Sequence, residues 1–223
     1  MCGRFTLQIT KEMIAEIFGV PITQDIQPHY NIAPTQQVAV IRTYPDETRH
    51  LDFLHWGLIP SWAKDPSIGH KMINARSETA HEKPAFKYAF HHHRCLIPAS
   101  GFYEWSTDGT KKKPLYIHLK KEIPLAFAGL WDHWKSPAGD VIESCTILTN
   151  SSNTLLKPVH DRMPVILDPK DYGLWLNPRI SAIESLKYIF EPYPSDKMEM
   201  YPVSDIVNSP RNDTLECIKP LGK

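Results

Sequence analysis

The stretch Arg94-Cys95-Leu96-Ile97-Pro98-Ala99-Ser100-Gly101-Phe102-Tyr103-Glu104-Trp105 contains two short β-prone runs, 94–98 and 101–105. Further β-prone runs cover residues 114–119, 125–130 and 143–149, with turn signals between them. Short strands at this spacing are typical of a sandwich or a closed barrel. We therefore predict that the middle of the chain forms the strand-rich centre of the fold.

The segments on either side of this centre mix helix and strand patterns. Thr10 is expected to cap a short helix that ends at Gly19, because a side-chain acceptor before an apolar helical face and a glycine after it mark the two ends. Strands are predicted at 38–41, 48–53, 198–203 and 216–218, and helical segments at 84–90, around Tyr172 and at 181–190. A single turn of helix is predicted at 154–157.

Composition indicates an ordinary globular protein. The 223 residues suffice for one sizeable core, with 42% hydrophobic and 22% charged residues. The 25 basic residues balance 25 acidic ones, so net charge predicts no nucleic-acid partner. A local patch still permits DNA contacts, with a modest salt dependence. The basic run at 111–113 follows a hairpin-type turn signal and is interpreted as a solvated hairpin tip.

The spacing of the four cysteines indicates the redox environment of the protein. Cys2, Cys95, Cys145 and Cys217 form no CxxC pair, which favours reduced thiols over a disulfide framework, and the last two are expected in the core. The chain shows neither a signal-peptide pattern nor an apolar run of the ~18 to 20 residues that a membrane-spanning helix needs. We expect a cytoplasmic protein without a membrane partner.

The residues Met1-Cys2-Gly3-Arg4 carry a reactive possibility. Removal of Met1, which is common before a small second residue, would leave a free α-amine and a thiol on adjacent atoms of Cys2. Their unperturbed pKa values are about 7.7 to 8.0 and about 8.5, so part of each is expected to be nucleophilic at neutral pH without help. Such a 1,2-aminothiol converts an aldehyde to a Schiff base and then to a thiazolidine. The alternative is that Cys2 is an ordinary second residue.

Several polar motifs have two readings each. Asn74 and Arg76 suit contacts to a phosphate or sugar, or equally an N-cap and a surface ion pair. Glu104, between aromatic residues, points either to solvent or into an apolar pocket that raises its pKa. His160 lies in a loop with a carboxylate and Arg162 beside it, which favours function.

A tryptophan pair and a histidine run also allow more than one interpretation. The rings of Trp56 and Trp62 belong either to the core or to a platform on which an unpaired base stacks. The run His91-His92-His93 superficially suggests a metal, but consecutive histidines cannot all face one ion and no partner pair stands at zinc-finger spacing. We therefore predict no metal site and no cofactor.

Six ordered motifs together resemble the SRAP family, named for SOS response-associated peptidase. They are Cys2-Gly3-Arg4-Phe5, Tyr30-Asn31-Ile32-Ala33-Pro34, Trp56-Gly57-Leu58-Ile59-Pro60, Asn74-Ala75-Arg76-Ser77-Glu78, Gly101-Phe102-Tyr103-Glu104-Trp105 and His160-Asp161-Arg162-Met163-Pro164. The resemblance implies one α+β domain over residues 1–223, with a central β-barrel-like antiparallel sheet and peripheral helices. It also implies a narrow cleft for single-stranded DNA and covalent capture of abasic sites.

The resemblance also assigns roles to individual residues. Cys2 would be the catalytic nucleophile after loss of Met1, Asn74 would position the sugar and the terminal residue, Glu104 would transfer protons, and His160 would assist ring opening and exchange at the Schiff base. The residues expected to hold phosphates and bases are Arg4, Arg76 and Arg162, with Asn31, Trp62 and Thr149 as further candidates. A monomer is expected, associated with the nucleoid on damage.

Three functions compete at this point. The first is formation of a thiazolidine crosslink with an abasic site in single-stranded DNA, which protects the lesion during replication or repair. The second is a cysteine peptidase built on Cys2, His160 and either Asn74 or Glu104, with cleavage limited to release of Met1. The third is a noncovalent reader of modified or damaged DNA that uses the same cleft.

Overall fold

A computed structural model describes residues 2–21, 25–108, 111–121, 123–180 and 182–222. The strands are β1 (Phe5–Leu7), β2 (His29–Ile32), β3 (Gln37–Thr43), β4 (Arg49–Trp56), β5 (Asn74–Arg76), β6 (Arg94–Ala99), β7 (Gly101–Asp108), β8 (Lys111–Leu119), β9 (Leu125–Lys135), β10 (Val141–Ser151), β11 (Arg162–Pro164) and β12 (Met198–Pro202). The α-helices are α1 (Lys11–Phe18), α2 (Lys87–His92) and α3 (Tyr172–Leu176). Short 3-10 turns connect several of these elements.

The central sheet closes into a barrel. Its strands follow the order β10-β4-β3-β6-β9, and β9 pairs again with β10 from Val141↔Lys135 to Ile147↔Gly129. β5 and β11 also pair with β10. The β-barrel-like sheet implied by the family resemblance is therefore confirmed, with parallel pairings where β10 meets β4 and β5. Closure satisfies the backbone groups of what would otherwise be exposed strand edges.

A second, antiparallel sheet lies beside the barrel in the order β12-β8-β7-β1-β2. Phe5 of β1 joins the two layers, because its ring meets Trp56 edge-on at 5.1 Å between centroids and Phe127 at 5.8 Å. All three residues are buried. This contact fixes the start of the chain against the barrel.

The predicted central strands are confirmed, and each is longer than its sequence pattern indicated. The run at 94–98 is β6, the run at 101–105 begins β7, and the later runs lie within β8, β9 and β10. Strands at 38–41 and 48–53 correspond to β3 and β4, and 198–203 to β12. Residues 111–113 are exposed in β8. The hairpin-type turn predicted just before them, at Asp108-Gly109, extends into residues 109–110, which lie outside the described part of the chain.

The helix predictions are mostly confirmed. Thr10 Oγ1 accepts a hydrogen bond from the Met13 N–H at 3.2 Å, and Gly19 ends α1 with a φ of 65°. The helix predicted at 84–90 is displaced to α2, and 154–157 makes the single turn expected. The region 182–190 forms two 3-10 turns (Ile183–Ser185 and Lys187–Phe190), and residue 181 lies outside the described part.

One predicted strand is wrong. Residues 216–218 lie in a 3-10 turn (Leu215–Ile218), in which the Cys217 N–H donates to the Thr214 carbonyl at 2.9 Å. Cys217 itself is buried, as expected, and Cys2, Cys95 and Cys145 are likewise buried free thiols. Among the helices of the described residues, none combines the length and the apolar character required to cross a membrane.

The loop after β4 depends on close contact between two glycine backbones. Gly57 has a φ of 139°, and a Cβ there would lie 2.6 Å from the Gly69 carbonyl oxygen. An L side chain would meet both an unfavourable backbone conformation and a clash with main-chain atoms that cannot rotate away. This contact holds the segment that carries Ile59, Ser61 and Trp62 against the turn Pro66–Lys71.

Replacing Gly57 with Ala is therefore expected to lower the free energy of unfolding by about 2–5 kcal/mol, from backbone strain and overpacking together. Gly139→Ala is the matched control, because Gly139 also has a positive φ (100°) but no atom within 4 Å of its added Cβ. Urea denaturation of both variants would measure the difference. Equal losses in the free energy of unfolding would show that the Gly57–Gly69 contact costs nothing beyond the strain of an alanine at positive φ.

Candidate active site and nucleic-acid interface

Strand pairing places Cys2 beside Glu104. β1 runs antiparallel to β7 with Phe5 opposite Phe102, and the Tyr103 N–H donates to the Arg4 carbonyl at 2.9 Å. Continuing this register toward the N-terminus brings the chain at Cys2 alongside the segment of β7 that contains Glu104. Cys2 is completely buried there.

Asn74 holds the backbone of Cys2 from the other side. β5 runs parallel to β10 with Asn74 opposite Ile147, and the Asn74 side-chain Nδ2 donates to the Cys2 carbonyl at 2.8 Å. The Asn74 Oδ1 is buried and accepts no hydrogen bond from the described residues. It is therefore an acceptor available next to the main chain of Cys2, as the predicted positioning role requires.

Glu104 is buried, with 4% of its surface exposed. Burial raises the pKa of its carboxyl group, and the positive charge of the chain's N-terminal amine, followed by the weaker effect of His160, opposes that rise only in part. The apolar-pocket reading of Glu104 is thus confirmed, and the solvent-facing reading is wrong. A carboxyl group with a raised pKa favours the protonated form and can donate a proton.

The pKa of the Cys2 thiol is also raised. Burial, followed by the negative charge of Glu104, raises the pKa of Cys2 well above its ordinary value. The expectation that part of this thiol ionises unaided at neutral pH is therefore wrong for the folded chain, because the sequence motif gave no measure of burial. Any reaction at this sulfur needs a group that accepts its proton.

His160 completes the group and is oriented by the main chain. The Arg162 N–H donates to His160 Nδ1 at 2.9 Å, so the proton of the neutral ring resides on Nε2. The four predicted catalytic residues, Cys2, Asn74, Glu104 and His160, are therefore linked by hydrogen bonds or close electrostatic interactions.

Arg162 extends this group toward the surface. Its guanidinium makes a two-point ion pair with Glu78, at 2.6 Å from Nη1 to Oε1 and 2.8 Å from Nη2 to Oε2. Nη2 also bonds the carbonyl and hydroxyl oxygens of Thr149. Thr149 pairs with Arg76 across β10 and β5, and Arg76 is exposed. Arg76, Thr149 and Arg162 thus lie together, whereas the Thr149 side chain is buried and bonded to protein.

Arg4 and Asn31 form a separate pair that faces the C-terminal segment. Arg4 Nη1 donates to Asn31 Oδ1 at 2.6 Å and to the Val207 carbonyl at 2.7 Å. Asn31 Nδ2 donates to the carbonyls of Val207, Ser209 and Asn212. The Asn31 side chain is buried and fully engaged with protein, so the structure gives it a supporting position, and its predicted DNA contact remains a prediction.

The two tryptophans, Trp56 at the end of β4 and Trp62 in the loop after it, differ in burial. Trp56 is buried and bonds the Ile73 carbonyl through Nε1 at 2.9 Å, so it belongs to the core. Trp62 is 59% exposed, and its Nε1 bonds the Pro84 carbonyl at 3.4 Å. An exposed indole tethered at its nitrogen presents a flat apolar face on which a base can stack.

Sequence reasoning assigned no role to Glu78, although it lies in one of the quoted motifs. Its partner Arg162 is 84 residues away in the chain, and no local signal connects the two. The hydrogen bonds from Arg162 lower the pKa of Glu78 despite partial burial. Glu78 therefore occupies, as a carboxylate, the position on Arg162 that a phosphate could take.

Comparison with known proteins gives consistent matches over the whole chain. Residues 1–210 match the family model described as SOS response associated peptidase (SRAP). The chain is 45% identical over 223 residues to abasic site processing protein YoqW of Bacillus subtilis (strain 168), covering 98% of this chain and 99% of that protein. It is 32% identical over 228 residues to abasic site processing protein YedK of Escherichia coli (strain K12), covering 99% and 100%.

The fold is shared with solved structures. A crystal structure of a protein from Bacteroides thetaiotaomicron matches with a TM-score of 0.86 and 27% sequence identity, covering 99% of this chain and 100% of that one. The barrel with its second sheet is therefore an arrangement that occurs in an experimentally determined structure.

The buried state of Glu104 predicts a pH-dependent stability. Below the ordinary pKa of glutamic acid, Glu104 is protonated in both the folded and the unfolded chain. Above it, the unfolded chain ionises first, because the folded pKa is raised, so folding stability falls as pH rises. Glu104→Gln is expected to remove this loss and to be more stable than wild type at neutral pH, with the difference vanishing in acid.

Urea denaturation of both proteins over a series of pH values would measure the effect. Glu78→Gln is a control of opposite sign, because the lowered pKa of Glu78 stabilises the fold above the ordinary glutamic acid pKa, and this gain is lost as pH falls. Parallel stability curves for Glu104→Gln and wild type would contradict the raised pKa.

Proposed function

The chain belongs to the SOS response associated peptidase (SRAP) family, and from this premise we propose that it processes abasic sites in DNA by covalent capture on Cys2. The relatives YoqW and YedK are named abasic site processing proteins. The observation that carries the proposal is the convergence of two buried residues, Cys2 and Glu104, with the half-buried Asn74 and His160 near the start of the chain.

The first step requires loss of Met1, which frees the α-amine of Cys2. The ring-opened deoxyribose of an abasic site is an aldehyde, and the amine nitrogen attacks its carbon to give a carbinolamine. Protonated Glu104 donates its proton to the departing hydroxyl group, which leaves as water. The product is an iminium ion, and Glu104 becomes a carboxylate whose charge stabilises it.

The second step forms the ring. The Glu104 carboxylate takes the proton of the buried Cys2 thiol, and the sulfur adds to the iminium carbon to close a thiazolidine. The nitrogen keeps one hydrogen, and Glu104 returns to its acid form, so the two steps need no other proton donor or acceptor. Because its raised pKa keeps the Cys2 thiol protonated until Glu104 has become a carboxylate, the amine reacts before the sulfur.

Asn74 and His160 have positioning and proton-transfer roles in this scheme. The Asn74 Oδ1, which has no hydrogen-bond partner among the described residues, would accept a hydrogen bond from the attacking amine of Cys2. Asn74 Nδ2 keeps the Cys2 carbonyl in place. His160, whose Nδ1 accepts the Arg162 N–H, would assist opening of the sugar ring through Nε2. Neither role involves a metal ion.

Single-stranded DNA is the substrate that this site favours. A buried thiol can be reached only by a sugar whose backbone bends sharply, and a duplex resists such bending. Arg76 and Arg162 would hold phosphates, with Arg4 as a further cation, and Trp62 would stack a neighbouring base. We further propose that the chain acts as one domain and as a monomer in the cytoplasm, where the crosslink protects the lesion.

A cysteine peptidase is the weaker candidate. Peptide cleavage by cysteine requires a thiolate, and burial together with Glu104 keeps the Cys2 thiol protonated in the folded chain. The α-amine has no function in that mechanism. Peptidase activity is therefore limited, in this proposal, to the release of Met1.

The capture reaction is tested on the untagged protein after intact mass has confirmed that Met1 is absent. Incubation with single-stranded DNA that contains one abasic site should give a heat-stable shifted band on a denaturing gel, and intact DNA should not. Cys2→Ala should lose the band, and Cys2→Ser should leave only a reversible Schiff-base adduct. Cys217→Ala, which removes another buried thiol, is the matched control.

A wild-type protein without Met1 that gives no shifted band would refute covalent capture and leave noncovalent reading of the lesion. A heat-stable band of wild-type yield from Cys2→Ser would instead show that ring closure by sulfur does not stabilise the adduct.

The Arg162–Glu78 pair generates a second prediction. Glu78→Gln is expected to tighten binding of undamaged single-stranded DNA several-fold, because it frees the guanidinium for a phosphate. One added phosphate contact should steepen the plot of log K against log salt concentration by about 0.7. Fluorescence anisotropy at several salt concentrations would measure both quantities.

Glu82→Gln is the control for charge alone, because Glu82 is an exposed carboxylate of the same segment whose ion-pair partner is His81. Equal changes in the two variants would indicate a general charge effect and no specific competition at Arg162.

A further inference from the structure

A cluster of metal-ligating side chains lies outside the candidate active site, at the edge of β9. His93 follows α2, and its carbonyl accepts the Trp131 N–H at 2.9 Å. Asp132 and His133 come next on β9, beyond Leu130, which pairs with the first residue of β6. The chain therefore brings one histidine from the helix end to a carboxylate and a second histidine on the strand.

The donor atoms are already close to one another. His93 Nδ1 lies 3.8 Å and His133 Nδ1 3.9 Å from the same oxygen, Asp132 Oδ1. The donor atoms of the three side chains all lie within 4.8 Å of one another. In tetrahedral zinc sites, bonds of about 2.0–2.2 Å put neighbouring ligand atoms about 3.3–3.5 Å apart. Small side-chain rotations would close the remaining difference.

The carboxylate of this cluster is held in place by the main chain. Asp132 is 3% exposed, its Oδ2 accepts the Ser61 N–H at 2.9 Å, and its Oδ1 accepts the His133 N–H at 2.9 Å. Hydrogen bonds of this kind orient a ligand before the ion arrives and are typical of the surroundings of metal sites.

His93 supplies an independent indication of a ligand. Its ring stacks on Trp131 with 4.1 Å between centroids and 17° between planes, which limits its orientations. Its Nδ1 is buried and has no hydrogen-bond partner within the described ranges. A buried ring nitrogen of this kind normally has a partner, and the approach to Asp132 at 3.8 Å is too long for a hydrogen bond.

We propose that His93, Asp132 and His133 bind one Zn²⁺ or a chemically similar first-row divalent ion, with water completing the coordination. Two imidazole nitrogens and one carboxylate oxygen are a donor set that suits zinc better than Mg²⁺ or Ca²⁺. His133 is 55% exposed, so the ion has a path from solvent. The proposal is independent of the abasic-site chemistry.

This site differs from the one that the histidine run superficially suggested. Of the run His91-His92-His93, only His93 belongs to the cluster, and the other two ligands come from β9, about 40 residues later in the chain. The three consecutive histidines therefore do not act as ligands together, in agreement with the sequence prediction. The proposal replaces the prediction that the chain has no metal site.

Binding of an ion would connect separate elements of the fold. An ion on these residues would tie the end of α2 to β9 and, through the Asp132–Ser61 hydrogen bond, to the loop that carries Trp62. The Arg42 guanidinium lies over the Trp131 ring at 4.4 Å and opposes a second cation nearby. Because Arg42 is paired with Asp52 and Glu143, this opposition is partly offset, and we expect moderate affinity.

The test uses the full-length, untagged protein, stripped of metal with a chelator and then titrated with Zn²⁺ alone. Isothermal titration should show one ion per chain with a dissociation constant of about 10 μM or tighter. His133→Ala is expected to weaken binding by about 100-fold or more, because loss of a direct ligand should cost at least as much as the loss of an outer-shell partner, about 10- to 100-fold. Because His133 is exposed, this variant should fold normally.

His92→Ala is the matched control, since His92 is an exposed neighbour in the same run that lies outside the cluster. Asp132→Asn provides the second ligand variant. Co²⁺ substitution should give the visible absorption of a low-coordinate N/O site in the wild type and in His92→Ala, and this absorption should be lost in His133→Ala and Asp132→Asn. Absence of binding to the wild type would overturn the proposal. So would equal affinity in His133→Ala and wild type, or an equal loss in His92→Ala.

Discussion

The burial of the Glu104 carboxyl group beside the Cys2 thiol is the interaction on which the rest of the candidate site depends. Taking an ionised carboxylate out of water is costly by several kcal/mol, so burial raises its pKa and favours its protonated form. The same desolvation, reinforced by the nearness of Glu104, favours the protonated thiol. One physical cause thus sets both proton states, and in the proposed reaction one proton on Glu104 serves the two steps in turn.

This arrangement requires that the first residues of the chain be held firmly, although chain ends are usually the least ordered part of a domain. Three contacts hold them. Phe5 packs between the barrel and the second sheet, the Arg4 carbonyl accepts the Tyr103 N–H, and Asn74 bonds the Cys2 carbonyl. Because these contacts come from different sheets, the closed barrel is a precondition for the site rather than a separate structural feature.

Some elements of the fold could be predicted from the sequence and others could not. The central strands were predictable because alternating patterns and turn signals are local, and α1 was predictable because Thr10 and Gly19 mark its ends. The strand predicted at 216–218 was wrong because these residues lie within a 3-10 turn, which a pattern of only three residues does not distinguish from a short strand. Glu104 could not be decided locally, since aromatic neighbours are compatible with either face of a strand.

The site residues were collected by family resemblance and not by local pattern, and the structure explains why. The pairs that define the site, such as Arg162 with Glu78 and Arg4 with the carbonyl of Val207, are separated by 84 and 203 residues. Nothing in the sequence near either partner indicates such contacts. A shorter separation, about 40 residues, likewise concealed the proximity of His93 to Asp132 and His133 of β9.

The cations of the candidate interface carry a further implication for specificity. Two of the three predicted phosphate-binding arginines already have internal acceptors, Asn31 with the Val207 carbonyl for Arg4 and Glu78 for Arg162. A phosphate arriving at Arg162 would exchange one anion for another, so its net gain is smaller than at an unpaired guanidinium. Together with a net charge of zero, this exchange would keep electrostatic attraction to undamaged DNA weak. In the proposed reaction, discrimination in favour of a lesion would then come from the bond that an aldehyde forms with Cys2, so that chemistry would contribute more to specificity than charge.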